Sequence, residues 1–209
     1  MKKVSLLFGA SALILVSCVG NPEGKKAETT DSVETVSDAN GTQLNVDTAQ
    51  STVKWLGKKV TGQHDGTVKI TSGTLTVKDG KLSGGRFTID LTTINNNDLE
   101  GEYKQKLENH LRSADFFDVE NHPEATFEIT SIADGANAGT LTVSGNLTIR
   151  GVTKNITFDA TASQVSEVSV VADADFNIAR EDWGVSYKGQ ADDLISKEIN
   201  FKIHLVAGN

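Results

Sequence analysis

A single cysteine, Cys18, among 209 residues excludes an intramolecular disulfide and leaves no thiolate pair for a metal. Proline is nearly absent, at two residues, and no apolar run is long enough to cross a bilayer as a permanent helix. The one sustained run, Val4 to Val16 behind the basic start Met1-Lys2-Lys3, has the proportions of a signal-peptide core. Positive charge is also short. The formal net charge is -8, and two of the twenty basic residues, Lys2 and Lys3, lie in that leader, which argues against a nucleic acid or an anionic surface as the main partner. A basic cluster at Lys54, Lys58 and Lys59 fits a solvated strand edge as well as a head-group site. There is no Gly-x-Ser-x-Gly elbow, P-loop or dinucleotide fingerprint, and serines and threonines are scattered along alternating stretches. Glu181-Asp182 fits a turn before Trp183 better than a carboxylate pair, since neighbours on a strand point to opposite faces. The histidines match no metal-ligand spacing, so no metal and no cofactor is expected. His64 and His110 fit turn or helix-end roles, with His110 able to donate to the last helix carbonyls.

What is present begins with the position of Cys18, where the apolar leader ends and a polar stretch starts. Leu15-Val16-Ser17-Cys18 resembles the bacterial lipobox, in which the cysteine is acylated and becomes the new N-terminus. Several acyl chains, at about 0.8 kcal/mol per buried methylene, hold a protein on a membrane far more firmly than one. Residues 1–17 are therefore expected to be a removed signal peptide. Val19, in place of an inner-membrane retention aspartate, favours the outer membrane. From Val19 to Gly41 the chain is Gly, Pro, Glu, Lys, Ala, Thr, Ser and Asp with isolated valines, too polar to offset its ordering entropy. Residues 18–41 thus read as a lipidated cysteine on a flexible tether, and 42–209 as one domain.

Within that domain apolar residues recur with period two, as in Phe87, Ile89 and Leu91, in Val168 to Ile178, and in Ile199 to Leu205. Turn signals at 71–73, 78–80, 134–135 and 150–151 favour antiparallel hairpins. One stretch departs from this: Leu99, Tyr103, Leu107 and Leu111 are spaced for an amphipathic helix capped by Asp98. The expected fold is all-β, an antiparallel barrel of about eight strands whose helix covers one mouth.

The motifs occur in a recognisable order. Thr61-Gly62-Gln63-His64, Gly84-Gly85-Arg86-Phe87, His110 to Val119, Pro123 to Phe127, Gly145 to Thr153, and Arg180 with Trp183-Gly184 together resemble the YceI-like, polyisoprenoid-binding proteins of bacterial envelopes. The resemblance implies a lipocalin-like barrel with an elongated apolar pore for an isoprenoid chain, and a binding or carrier role with no settled catalytic activity. The lipobox and tether depart from the soluble members and favour a membrane-bound station.

Periodicity alone fits a filled core as well as a pore; the resemblance implies the pore. Its expected lining is Phe87, Phe127, Ile149, Phe158, Phe176 and Phe201, with Phe116 and Phe117 at the mouth, Trp183 as a further ligand contact, and the Phe-Phe turn and helix forming a lid. An apolar tail offers only burial, about 3 kcal/mol gross per isoprene unit at about 0.8 kcal/mol per carbon. Arg86, Arg150 and Arg180 are the head-group candidates, because a guanidinium makes paired hydrogen bonds to an anion. The expected partners are an apolar isoprenoid-type or quinone-like ligand, the membrane through Cys18, and, by one exposed long strand, a second copy of the chain. Two other readings stand: a structural or adhesive surface lipoprotein with a filled barrel, and an enzyme on an apolar substrate with His64 or His110 as acid or base.

Overall fold

Asp79-Gly80 and Arg150-Gly151 hold four positive φ angles, 53°, 73°, 52° and 72°, which is type I′ geometry and closes two-residue hairpins between right-twisted strands. The computed structural model describes residues 19–35 and 41–208; the leader and Cys18 lie outside the described residues. The strands are β1 (Lys25–Lys26), β2 (Glu28–Asp31), β3 (Thr42–Val46), β4 (Thr52–Lys59), β5 (Gly62–Lys78), β6 (Lys81–Asn96), β7 (Glu124–Asp134), β8 (Thr140–Ile149), β9 (Val152–Val165), β10 (Ser169–Ala179), β11 (Gly189–Gln190) and β12 (Asp193–Gly208). Helix α1 (Gly101–Arg112) follows β6, and a 3-10 turn, Arg180–Trp183, follows β10.

Each strand from β5 to β10 pairs antiparallel with the next, β12 pairs with β10 on one side, and β3 and β4 share the position between β12 and β5. The result is a closed antiparallel barrel of eight wall strands, the lipocalin-like architecture expected. One end, the helix end, carries α1, the 3-10 turn and the β4–β5 and β8–β9 turns. The opposite end carries the β5–β6 and β9–β10 turns together with β3.

Three local expectations are corrected. The turn signal at Thr71-Ser72-Gly73 is a bend inside the 17-residue strand β5, where the register shifts between Ile70 and Ser72 and the partner changes from β4 to β3. Asp98 does not cap α1. The N-cap is Glu100, without a side-chain cap bond, because the Asp98 carboxylate is engaged by His64, the Asp65 N–H and Asn96. Tyr103, assigned to the apolar stripe, is 74% exposed, and the helix presents Leu107 and Leu111 instead.

A fourth correction concerns the tether. Lys25–Lys26 pairs parallel with Phe176 and Asn177 of β10, and Glu28–Asp31 pairs antiparallel with 154–157 of β9. Strands β9 and β10 pair directly only from Ala160 and Ala174 toward the far end. Nearer the helix end they part, and the N-terminal segment fills the gap as an extra strand, with Ala27 buried in the core. The composition misleads because backbone ladders and polar side chains, with little apolar burial beyond Pro22 and Ala27, hold this segment.

Glycines in the wall mark where rings lie. A Cβ on Gly66 would strike the Asn95 carbonyl and the Trp55 indole, and one on Gly145 would strike the Phe127 ring and the Glu128 carbonyl. Gly66→Ala is therefore expected to lower unfolding stability by roughly 1–3 kcal/mol, the usual cost of overpacking. Urea unfolding against Gly57→Ala, where a Cβ meets nothing within 4 Å, checks this.

Candidate functional site

Inward positions of neighbouring strands fall in register. Phe87 is opposite Phe127, Val143 is opposite Phe158, and Phe176 is opposite Phe201. Five rings form a continuous arc: Phe87 and Phe127 lie 6.3 Å apart, Phe127 and Phe158 5.8 Å, Phe158 and Phe176 4.1 Å, and Phe176 and Phe201 6.2 Å. They do not fill the barrel. A cavity of about 430 Å³ runs between them, within the size range of ligand sites.

The two ends of this cavity differ. At the far end Leu44, Val77, Val170 and Ala207 are fully buried, stand outside the lining and form a floor on the side of β3, β5, β10 and β12, while Leu82, Ile132 and Leu141 border the cavity half-buried. At the helix end the lining turns polar, with Lys58, Lys59, His64, His110, Tyr187, Gln190 and Asp193. The cavity is an apolar tube with a polar mouth at the helix end.

Electrostatic ties shape that mouth. Asp193 accepts from Lys59 Nζ at 2.6 Å, from the Thr61 N–H at 3.0 Å and from Thr61 Oγ1 at 2.9 Å, which joins the β4–β5 turn to β12. The Lys59 hydrogen bond, more than any other contact, holds its carboxyl below the ordinary range. Asp98 is a contest: burial raises its carboxyl, but hydrogen bonds from His64 at 2.7 Å, the Asp65 N–H at 3.0 Å and Asn96 outweigh it, and the pKa falls below the usual 3.8. His110 sits edge-on to Phe116 at 4.9 Å and to Tyr187 at 4.8 Å, with Nε2 3.2 Å from Asp115. It does not donate to the helix carbonyls as expected; its own carbonyl accepts from Ser113.

Phe87, Phe116, Phe117, Phe127, Ile149, Phe158, Phe176 and Phe201 all border the cavity. Phe116 packs into the His110–Tyr187 cluster at the rim, and Phe117 faces the tube below it. Trp183 is corrected: it is 1% exposed, outside the lining, and donates its indole N–H to the Leu147 carbonyl, a core plug between the 3-10 turn and β8.

Of the three arginines only Arg180 borders the cavity. Arg86 lies on the outer surface paired with Glu128 at 2.8 Å. Arg150 donates to the Phe116 and Gly184 carbonyls and ties the Phe-Phe turn to the 3-10 turn. Both are corrected to structural roles. Arg180 is buried, donates from Nε to the Ser196 carbonyl at 2.8 Å and from Nη1 to the Val185 carbonyl at 2.7 Å, and has no ion pair among the described residues. Burial pulls its pKa below the ordinary arginine value, with Glu181 opposing.

The family model of the YceI-like domain matches residues 44–207. The chain belongs to the YceI-like family. Protein YceI of Salmonella arizonae is 37% identical to this YceI-like chain over 95 residues, 46% of the chain and 47% of its relative. The protein of the same name from Salmonella newport matches equally, so the chain spans about half the length of these curated relatives. Among solved structures, Burkholderia cenocepacia BcnA superposes with a TM-score of 0.64 at 25% identity, over 78% of this chain and 99% of that one. A polyisoprenoid binding domain from Saccharophagus degradans, implicated in plant cell wall breakdown, superposes at 0.59 with 14% identity, over 81% and 99%, a likeness of fold alone.

The wall glycines beneath the rings were the unread signal for the arc, and the floor residues carry none that distinguishes them from other apolar strand positions. Asp98→Asn is expected to cost about 1 kcal/mol at pH 7, the worth of one partly buried hydrogen bond. Because the folded carboxyl is depressed, its contribution is present above the ordinary 3.8 and is lost as pH falls through the folded value. Thermal midpoints of the two proteins should therefore stand apart at neutral pH and converge in acid.

Proposed function

We propose that this protein is an envelope lipoprotein, anchored through acylated Cys18, that holds a single long apolar tail, of isoprenoid type, in the barrel. The observation that carries the reading is the apolar tube with a polar mouth at the helix end. Such a tube suits an amphiphile whose tail lies inside and whose head stays at the helix end. A tail gains affinity from burial alone, so a few isoprene units at about 3 kcal/mol gross each exceed the costs of association and tail ordering. The solved polyisoprenoid binding domain with the same fold supports this ligand class. A cavity among the phenylalanines favours it over a filled, purely structural barrel.

Arg180 is the head-group residue in this reading. Its cation borders the tube without a carboxylate partner among the described residues, and a phosphate or quinone oxygen supplies the acceptor that the two carbonyls leave over. The role is binding, storage or hand-over of the lipid, and the α1 and Phe116-Phe117 segment acts as the lid.

Mass spectrometry of an organic extract tests the proposal, using protein that begins at Val19 and is purified without detergent. A stoichiometric polyprenyl or quinone species is expected. Ala174→Phe places a ring in the bore opposite Ala160 and should abolish that species while leaving the fold intact by circular dichroism. A folded wild-type protein that is empty and takes up no added isoprenoid would replace binding with the structural reading. Turnover of the lipid would replace it with the enzymatic one.

A further inference from the structure

Residues 21–31 have the composition of a free tether, yet the barrel carries a built seat for them. Asn177 and Asn200 occupy outward positions, alternating with the inward Phe176 and Ile178 and with Ile199 and Phe201, where solvent contact is the rule. Instead Asn177, Ser196 and Asn200 are each 1% exposed. What covers them is the N-terminal segment. Asn177 Nδ2 donates to the Pro22 carbonyl at 2.9 Å and the Gly24 carbonyl at 3.3 Å, and Ser196 Oγ donates to Asn21 Oδ1 at 2.8 Å. Asn200 Nδ2 orients Asn177 through its Oδ1 at 2.9 Å. Gly24 has φ 137° and lies so close to both amides that a Cβ would fall 2.5 Å from Asn177 Oδ1. The segment then runs on as β1 and β2, with the Ala27 N–H donating to the Asn177 carbonyl at 2.8 Å.

This seat lies at the helix end. Ser196 borders the mouth of the cavity and its carbonyl holds Arg180. Two residues, Val19 and Gly20, separate Asn21 from Cys18, so the three Cα steps reach at most about 11 Å for extended chain. The floor lies a barrel length away, about 25–30 Å for tilted strands of this size. A flexible 24-residue tether, with an end-to-end distance of about 27 Å, would leave the barrel free to tumble.

We propose that residues 21–31 are a docking strap that holds the helix-end mouth against the lipid surface in which Cys18 is anchored, so that a lipid exchanges directly between bilayer and pore. This rests on the lipid-anchor reading above. The partner surface is the bilayer bearing the acyl chains, and the strap sets orientation while the anchor sets attachment.

The test uses the full-length acylated protein in phosphatidylethanolamine and phosphatidylglycerol vesicles doped with a lipid spin-labelled in its head group. Fluorophores are placed at Lys188→Cys, beside the mouth, or at Lys81→Cys, at the start of β6 at the floor end. The Lys188 probe should be quenched several-fold more than the Lys81 probe. Two strap variants, Ala27→Glu and the pair Asn177→Ala with Asn200→Ala, should equalise the two probes while sedimentation with vesicles is unchanged. Equal quenching in the intact strap, or a contrast that survives in a folded strap variant, overturns the proposal. Protein that stays in the supernatant and takes a second fluorophore at Cys18 overturns the anchor reading, and the orientation falls with it.

Discussion

Closure by β12 is the constraint on which the rest depends. This strand pairs with β10 along eleven positions, from Ser169–Gly208 to Ala179–Glu198, and with β4 and β3 on its other edge. Without it the two lateral edges would be open and every inward ring exposed, and a one-residue slip would turn Phe201 and Ile203 to solvent and Lys202 and His204 into the pore. The arc of phenylalanines is thus a consequence of register, since each ring meets its neighbour only because its strand is closed in the correct phase. The cavity follows from the same closure: eight wall strands enclose more space than five rings and the branched side chains between them occupy.

Much of the fold was legible because a barrel strand writes its two faces directly into the chain, and Phe87, Phe127, Phe158, Phe176 and Phe201 all lie inward as their alternation implied. Local signals failed where tertiary contacts compete with them. Asp98 has the chemistry of a helix cap, but His64 and two amide donors offered its carboxylate more than one helix N–H could. Gly73 reads as a turn residue, yet its missing side chain makes room for the Phe87 ring inside a continuous strand. Trp183 reads as a ligand contact, but its indole N–H requires an acceptor and finds one at Leu147.

Polar side chains are less legible, for a physical reason. An arginine's sequence neighbourhood does not say whether a carboxylate or a carbonyl lies across the next strand. Arg86 meets Glu128 across the β6–β7 ladder, Arg150 reaches two carbonyls, and only Arg180 is left facing the tube. The N-terminal segment shows the same blindness in another form. Its partners are outward asparagines that look like ordinary solvent-facing strand residues until the segment covers them.

The packing of Leu44, Val77, Val170 and Ala207 at the far end carries a kinetic consequence. For the amphiphile proposed above, whose head stays at the helix end, entry and departure use the same mouth. A second tail would wait there until the first had withdrawn, and the time of retention would lengthen with the depth to which the tail is inserted.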